Sequence, residues 1–336
     1  MNSKNKDYIS KNLYYIEKIA APEIQCSITP KHSQFYQLAH KHSMEWSLQM
    51  QLITSRGSKS YTKLEKAEFA WLAAATYPEA SLGQLEIAAD YMIWFFMYDD
   101  EYVSSKKPDC QKILEQVQER LNAVMYGGDC MERDVPVVKA LSNICYRIYQ
   151  ENGSQGFWLD RFRFHMERYF EANLWNLKVC LDQRIPCLDE YKSYRIYDIG
   201  LLPTLDLSSH FNQIDYKNEF FRTELFEQVS RLTATHVYVL NDILGIKKEI
   251  LDEEPINIVF VLQNASEVDL LQAYDQAILL CNQEFQTYED ACDSARKLRA
   301  QVEPEIEQYI NVCNAWIRGH FDWYFVSKRY KSPGTV

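Results

Sequence analysis

The chain has 336 residues, enough for one large domain or two small ones, and is 47% hydrophobic and 14% aromatic with only 10 Gly and 10 Pro, a composition that suits a helical globule with a large core. A formal net charge of −11 argues against nucleic acid and anionic membrane as partners. The nine cysteines are scattered and never spaced as Cys-x-x-Cys, which reads as free thiols of a reducing compartment and excludes a zinc framework or a disulfide scaffold.

Residues 1–33 are irregular, with Pro22 and Pro30, and read as a flexible leader or a strap over an active-site mouth. Met1–Lys6 is polar with no apolar run behind it, so no secretory signal is expected. No window approaches about 18 consecutive apolar residues, so no membrane span is expected either, and the protein is placed in the cytoplasm. Helices are expected over 34–57 and 62–76, the second closed by Tyr77-Pro78. Ser81 then caps a helix that carries Asp90 and ends at Asp99-Asp100-Glu101. A loop at 103–109 precedes helices at about 110–125 and 135–150. A long aromatic helix follows at 155–182, with Phe157, Trp158, Phe162, Phe164, Tyr169, Phe170 and Trp175; such a stripe is ordinary core by default.

Pro186 opens an element that carries Arg195 and breaks near Gly200 and Pro203. Helix resumes over 204–213, and a longer one spans about 217–250. Pro255-Ile256-Asn257 opens another, 266–291 and 297–326 read as two more, and 331–336 is a polar tail. No strand series, repeat or dividing linker interrupts the pattern. The fold class is therefore all-α: one helical bundle over 34–330.

Two stretches carry chemistry. Asn241, Gly245 and Glu249 lie at i, i+4 and i+8 of an otherwise apolar helix, one stripe about 12 Å long. Oxygen-bearing side chains there are costly to bury unless they are paired or bound to metal. Lys247 and Lys248 lie beside them. Residues 85–98 form a second apolar run that ends in Asp99, Asp100 and Glu101, which repel one another and have no adjacent base, so a cation is their natural counter-charge. Taken singly, each stretch is equally a polar helix end in water.

The order of motifs resembles the class I terpene synthases, the single-domain α-helical cyclases typical of bacteria and also known outside them. Phe96-Met97-Tyr98-Asp99-Asp100 resembles their aspartate-rich motif, and Asn241…Gly245…Glu249 their Asn/Ser/Glu metal triad. Glu190-Tyr191-Lys192-Ser193-Tyr194-Arg195 resembles the segment with the diphosphate-sensing arginine, and Arg329-Tyr330 the C-terminal pair that grips diphosphate. The resemblance implies a bundle with a central cavity, a set of Mg²⁺ ions (three in number) and a prenyl diphosphate substrate. It implies metal binding by Asp99, Asp100, Asn241, Gly245 and Glu249, and diphosphate binding by Arg195, Lys248, Arg329 and Tyr330. It also implies a turn at Asp198, Ile199 and Gly200 whose backbone carbonyl points at the substrate. Trp71, Phe95, Phe96, Trp316 and Trp323 are candidates for lining the pocket. Two positions depart from the pattern: Val103 and Ser104 stand where a further acid is usual, with Glu101 as a stand-in, and Gly245 has no hydroxyl.

The reaction so implied is Mg²⁺-dependent ionisation of farnesyl or geranylgeranyl diphosphate, ring closure to a terpene hydrocarbon or alcohol, and release of diphosphate. A homodimer is suggested by the same resemblance. A chain-elongating prenyltransferase of this fold is the neighbouring alternative, disfavoured because the second site reads Asn-Asp…Gly…Lys-Glu. A catalytically inactive helical protein that binds an apolar ligand is the alternative from another class.

Overall fold

The computed structural model describes residues 11–105, 107–152, 156–217, 219–297 and 304–329. Among them it contains thirteen α-helices and no strand. The helices are α1 (Tyr36–Gln49), α2 (Lys59–Ala67), α3 (Phe69–Thr76), α4 (Leu82–Tyr98), α5 (Cys110–Met125), α6 (Pro136–Asn152), α7 (Phe157–Asp182), α8 (Leu188–Asp198), α9 (Leu201–Phe211), α10 (Glu224–Asp252), α11 (Ile258–Ser266), α12 (Leu270–Lys297) and α13 (Pro304–Val326). Tyr330 and the tail at 331–336 lie outside the described residues.

Most expected helices are present, and the differences have local causes. The single helix expected at 62–76 is two, because Glu68 takes a left-handed backbone (φ 57°) while its carboxylate accepts the Tyr36 hydroxyl at 2.6 Å. Nothing in the composition of that stretch signals a break. Ser81 caps α4 as expected, and Gln84 completes a reciprocal capping box with it. The interruption near residue 200 is sharper than the expected gap: α8 ends at Asp198 and α9 starts at Leu201. Pro203 sits in the first turn of α9, where its missing N–H leaves no bond unmade.

α4 is apolar on nearly all sides, so it is buried all round. It packs on α1, α3 and α6, and Trp94, fully buried, donates its indole N–H to the Val137 carbonyl at 2.8 Å. α10 is its counterpart across the molecule and packs on α12, α13, α9 and α8. Buried charges pin the bundle at two further points. Asp90 accepts from Arg147 (2.6 Å) and His42 (3.0 Å), and Asp206 from Arg161 (3.1 Å) and His165 (2.5 Å). The described part of the N-terminal segment runs along the outside of α12 and α13. Ser27 donates to Glu289 at 2.6 Å, and Arg318 donates to the Ile28 carbonyl at 3.3 Å. None of residues 11–33 lines the central cavity. Among the described residues no helix is long and apolar enough to cross a membrane.

His236 is wholly buried on α10 beside Cys281 and Phe285, and burial lowers its pKa from 6.5 to about 4. Between those values the unfolded chain binds a proton that the folded chain refuses, so stability is retained above pH 6.5 and falls as pH drops towards 4. Urea unfolding followed at pH 7 and pH 5 should show a loss on the order of 2 kcal/mol from this group. His236→Leu should remove that share of the pH slope and leave the part due to buried His210 and His320.

Candidate active site

The cavity lies between α3, α4, α7, α8, α9, α10 and α13 and has an apolar body with a charged mouth. Leu72, Met92, Phe95, Phe96, Val237 and Trp316 make the body. Gly200 fixes its shape. Its backbone is left-handed (φ 67°), and a Cβ there would fall 1.8 Å from Phe95 Cζ. Only glycine satisfies both conditions. Phe95 is held on its other side by Tyr169, stacked at 4.6 Å.

One wall of the mouth is the end of α4, which passes into a π-helical turn at Asp99–Val103. Asp99 faces the cavity. Burial, then the charges of Asp100 and Asp198, push its pKa up to about 7 against the opposing pull of Arg329. Asp100 does not line the cavity. Burial alone would raise it, but Arg329 grips it at 2.6 and 3.0 Å and Lys63 at 3.1 Å, which brings it down to about 2. As a metal ligand it is therefore already satisfied by cations. Glu101 points outward into a separate groove with Lys107 and Arg133, so the expectation that it replaces the missing acid fails. Val103 is buried, and Ser104 is the residue of this turn that reaches the cavity beside Asp99.

The other wall is α10. Asn241, Lys248 and Glu249 line the cavity, as their helical stripe requires. Gly245 contributes no side chain: a Cβ there would sit 2.8 Å from Glu249 Oε1, so its absence makes room for that carboxylate. Glu249 accepts Asn257 Nδ2 at 2.5 Å. Burial, then Asp242 and Glu254, hold its pKa well above the carboxylate range, with Lys248 opposing. Lys248 pairs with Asp252 at 2.9 Å and Glu254 at 3.4 Å.

Arg195 ties α8 to the α10 wall. Its guanidinium is buried and donates to Asp198 (2.8 Å), Asp242 (2.8 and 3.2 Å) and Asn241 Oδ1 (3.0 Å). Asp242 also accepts the Ile258 N–H at 2.7 Å and the Tyr191 hydroxyl. Ile199, Gly200 and Arg329 line the same cavity, with the Arg329 guanidinium 5.0 Å from the Phe96 ring. Two aromatic candidates fall elsewhere. Trp323 is fully buried behind Phe96 and donates to the Ala67 carbonyl at 2.9 Å. Trp71 packs on His32 at 5.0 Å.

Sequence reasoning overlooked Asn176, Asp242, Glu254 and His320. Asn173 and Asn176 interrupt the aromatic run of α7, and both donate to Asp198; amides inside a core stripe were the available signal. His320 lies one turn after Trp316 on α13 and is as buried. Glu254 follows the helix and had no pattern to mark it.

Among the described residues no three His, Cys, Asp or Glu side chains converge at metal distance. Asp99, half-buried, and Glu249, buried, are nonetheless carboxylates short of positive charge, and Asn241 adds an amide oxygen; this donor set fits a hard divalent cation. The arrangement can thus collect cations and an anionic group at the mouth while keeping an apolar chain dry below it. Removing Asp242 leaves Arg195 with Asp198 as its one remaining carboxylate and strands the Ile258 N–H and the Tyr191 hydroxyl inside the protein. Asp242→Ala should lower stability by about 3–5 kcal/mol in urea unfolding, whereas the same change at exposed Asp215 should have little effect.

A family model described as "Terpene synthase family 2, C-terminal metal binding" matches residues 90–287. The chain is 24% identical to Germacrene A synthase of Nostoc punctiforme over 94% of its own length and 96% of that protein's. It is 26% identical to (+)-T-muurolol synthase of Roseiflexus castenholzii, over 80% and 82%. Its backbone superposes on a crystal structure of a-eudesmol synthase with a TM-score of 0.80 at 19% identity, covering 91% of this chain and all of the other. Linalool/nerolidol synthase from Streptomyces clavuligerus gives 0.78 at 18% identity, covering 90% and 100%. With the matched segment spanning both walls of the cavity, the chain belongs to terpene synthase family 2, as a bacterial-type class I terpene synthase with the helical fold of that class.

Proposed function

We propose that this chain is a Mg²⁺-dependent sesquiterpene cyclase, which ionises farnesyl diphosphate and closes the resulting carbocation into a ring. The observation that carries the reading is the division of one cavity into a mouth of carboxylates and fixed cations and a body of aromatic and aliphatic side chains. Farnesyl is favoured over geranylgeranyl by the names of the relatives. (+)-T-muurolol synthase and 4-epi-cubebol synthase are both described as cyclising (2E,6E)-farnesyl diphosphate.

Asp99, Asn241 and Glu249 would hold the metal, which when bound supplies Lewis-acid neutralisation of the leaving diphosphate. Arg195, Lys248 and Arg329 donate charge-assisted hydrogen bonds to the same group, and Tyr330 is proposed as a further donor. Arg329 is engaged by Asp100 and Lys248 by Asp252 and Glu254, so these cations reach the diphosphate by exchanging one anion for another. The Phe95, Phe96 and Trp316 rings face the path of the cation. Each can stabilise it by roughly 0.5–2 kcal/mol without forming a bond. The diphosphate itself can accept the final proton, so no side-chain base is required.

Parallel incubations with geranyl, farnesyl and geranylgeranyl diphosphates, with Mg²⁺ and with chelator, test the reading by mass spectrometry of the organic extract. A metal-dependent cyclic C15 product is expected from the farnesyl substrate. Longer linear diphosphates formed with isopentenyl diphosphate would mean elongation instead. Asp99→Asn should lower turnover by about 10²–10³-fold or more. The same change should leave the unliganded protein as stable or more so, because it relieves repulsion from Asp100 and Asp198. Wild-type turnover in that variant would remove Asp99 from the site.

A further inference from the structure

The cavity mouth contains a carboxylate that none of the sequence motifs includes. Glu254 follows α10, where the left-handed backbone of Glu253 (φ 57°) turns the chain back. The Glu254 N–H donates to the Glu249 carbonyl at 3.0 Å, and Pro255 restricts Glu254 to extended backbone from the other side. So fixed, the residue lines the same cavity as Asp99, Asn241 and Glu249. Its carboxylate holds Lys248 at 3.4 Å, longer than the 2.7–2.9 Å of a tight charge-assisted bond.

The rest of the mouth is short of oxygen donors at two places. Val103 is buried and Ser104 brings a hydroxyl where an acid is usual; Gly245 brings nothing. A second observation points to a bound group at this wall. His320 lines the cavity and is more than nine-tenths buried; its Nε2 lies 3.5 Å from Asn241 Nδ2, and its Nδ1 has no hydrogen-bond partner among the described residues. Buried polar atoms are normally satisfied, and a water or ligand group in this cavity would satisfy Nδ1.

We infer that Glu254 is a further ligand of the divalent cation at this site, and that on diphosphate binding it exchanges Lys248 for the metal. The inference rests on the reading of the cavity as a metal–diphosphate site. A divalent cation attracts a carboxylate twice as strongly as an ammonium at the same distance, and hard divalent cations select oxygen donors. The loose Lys248–Glu254 pair is therefore the contact that gives way. Lys248 then has an N–H to turn towards the diphosphate while Asp252 still steadies it at 2.9 Å. The acid that the aspartate-rich turn lacks is in this way supplied from the opposite wall.

The test is a Mg²⁺ titration of the whole chain at fixed inorganic diphosphate, read by calorimetry and by the ligand-induced shift in melting temperature, with no turnover involved. Glu254→Gln keeps the shape of the side chain and is expected to fold normally. It should need roughly tenfold to hundredfold more Mg²⁺ to reach half-saturation. Asp252→Asn, which removes the other partner of Lys248, should titrate as wild type. A Glu254→Gln curve that superimposes on wild type overturns the assignment. An equal shift in both variants also overturns it, since the residue would then act only by steadying Lys248. Failure of the wild-type protein itself to bind diphosphate with Mg²⁺ would overturn the cavity reading beneath it as well.

Discussion

The structure turns on the buried guanidinium of Arg195. It binds two carboxylates and an amide oxygen from two helices. Its partners reach further: Asp198 is held by Asn173 and Asn176 of α7, and Asp242 by the start of α11 and by Tyr191. Four helices therefore meet on one charge. A buried ion pair is weak evidence for stability in itself, because desolvation offsets much of the attraction. What this one supplies is position. Asn241 cannot shift along the wall without breaking a bond to Arg195, so the donor atoms of α10 keep their register against α8.

A second consequence concerns charge balance. Each cation at the mouth already has an anion: Arg329 has Asp100, Lys248 has Asp252 and Glu254, and Arg195 has Asp198 and Asp242. Asp99 and Glu249 are left in excess of positive charge, and both are pushed towards the protonated form by burial and by their neighbours. Metal and diphosphate arriving together can resolve both conditions, since the metal satisfies the excess carboxylates and the diphosphate offers the cations a new partner. Either one alone resolves only half. The whole-chain charge of −11 has no bearing on this balance, which is local to a few residues.

Helix existence was legible from apolar periodicity, and the two apolar runs followed by acids lie in α4 and in the C-terminal half of α10. The break at Gly200 was legible too, because Gly and Pro fell together. The division at Glu68 was not: it depends on a hydrogen bond from Tyr36, more than thirty residues away in sequence, and tertiary contacts of that kind override local propensity. In the site, Asn241 and Glu249 were legible because helical spacing decides which residues share a face, whereas Asp99, Arg195 and Lys248 were marked by the order of motifs that resembles the class I terpene synthases. All five line the cavity. Asp100 and Glu101 could not be sorted by spacing, since a π-helical turn follows Tyr98 and re-aims each side chain. Trp316 and Trp323, two turns apart on α13, were indistinguishable as sequence. Their difference is made by Phe96, which covers Trp323 and leaves Trp316 at the cavity.

Packing and chemistry impose separate demands on neighbouring residues here, which is why the motif is compact. Phe95 is fixed by shape: it fills the space between Tyr169 and the bare Cα of Gly200, and so couples α4, α7 and the α8–α9 break at one point. Asp99, one turn later at the start of the π-helical turn, is opposed by burial and by the charges of Asp100 and Asp198. The ring determines where the end of α4 lies, and the acid is placed by that choice. A residue that opposes stability is thus held in position by one that provides it. The same relation recurs across the cavity, where the missing side chain of Gly245 leaves space for the Glu249 carboxylate. On both walls a carboxylate opposed by burial and by neighbouring acids is seated by a neighbour's shape, and its unfavourable electrostatics are of the kind that a cation relieves.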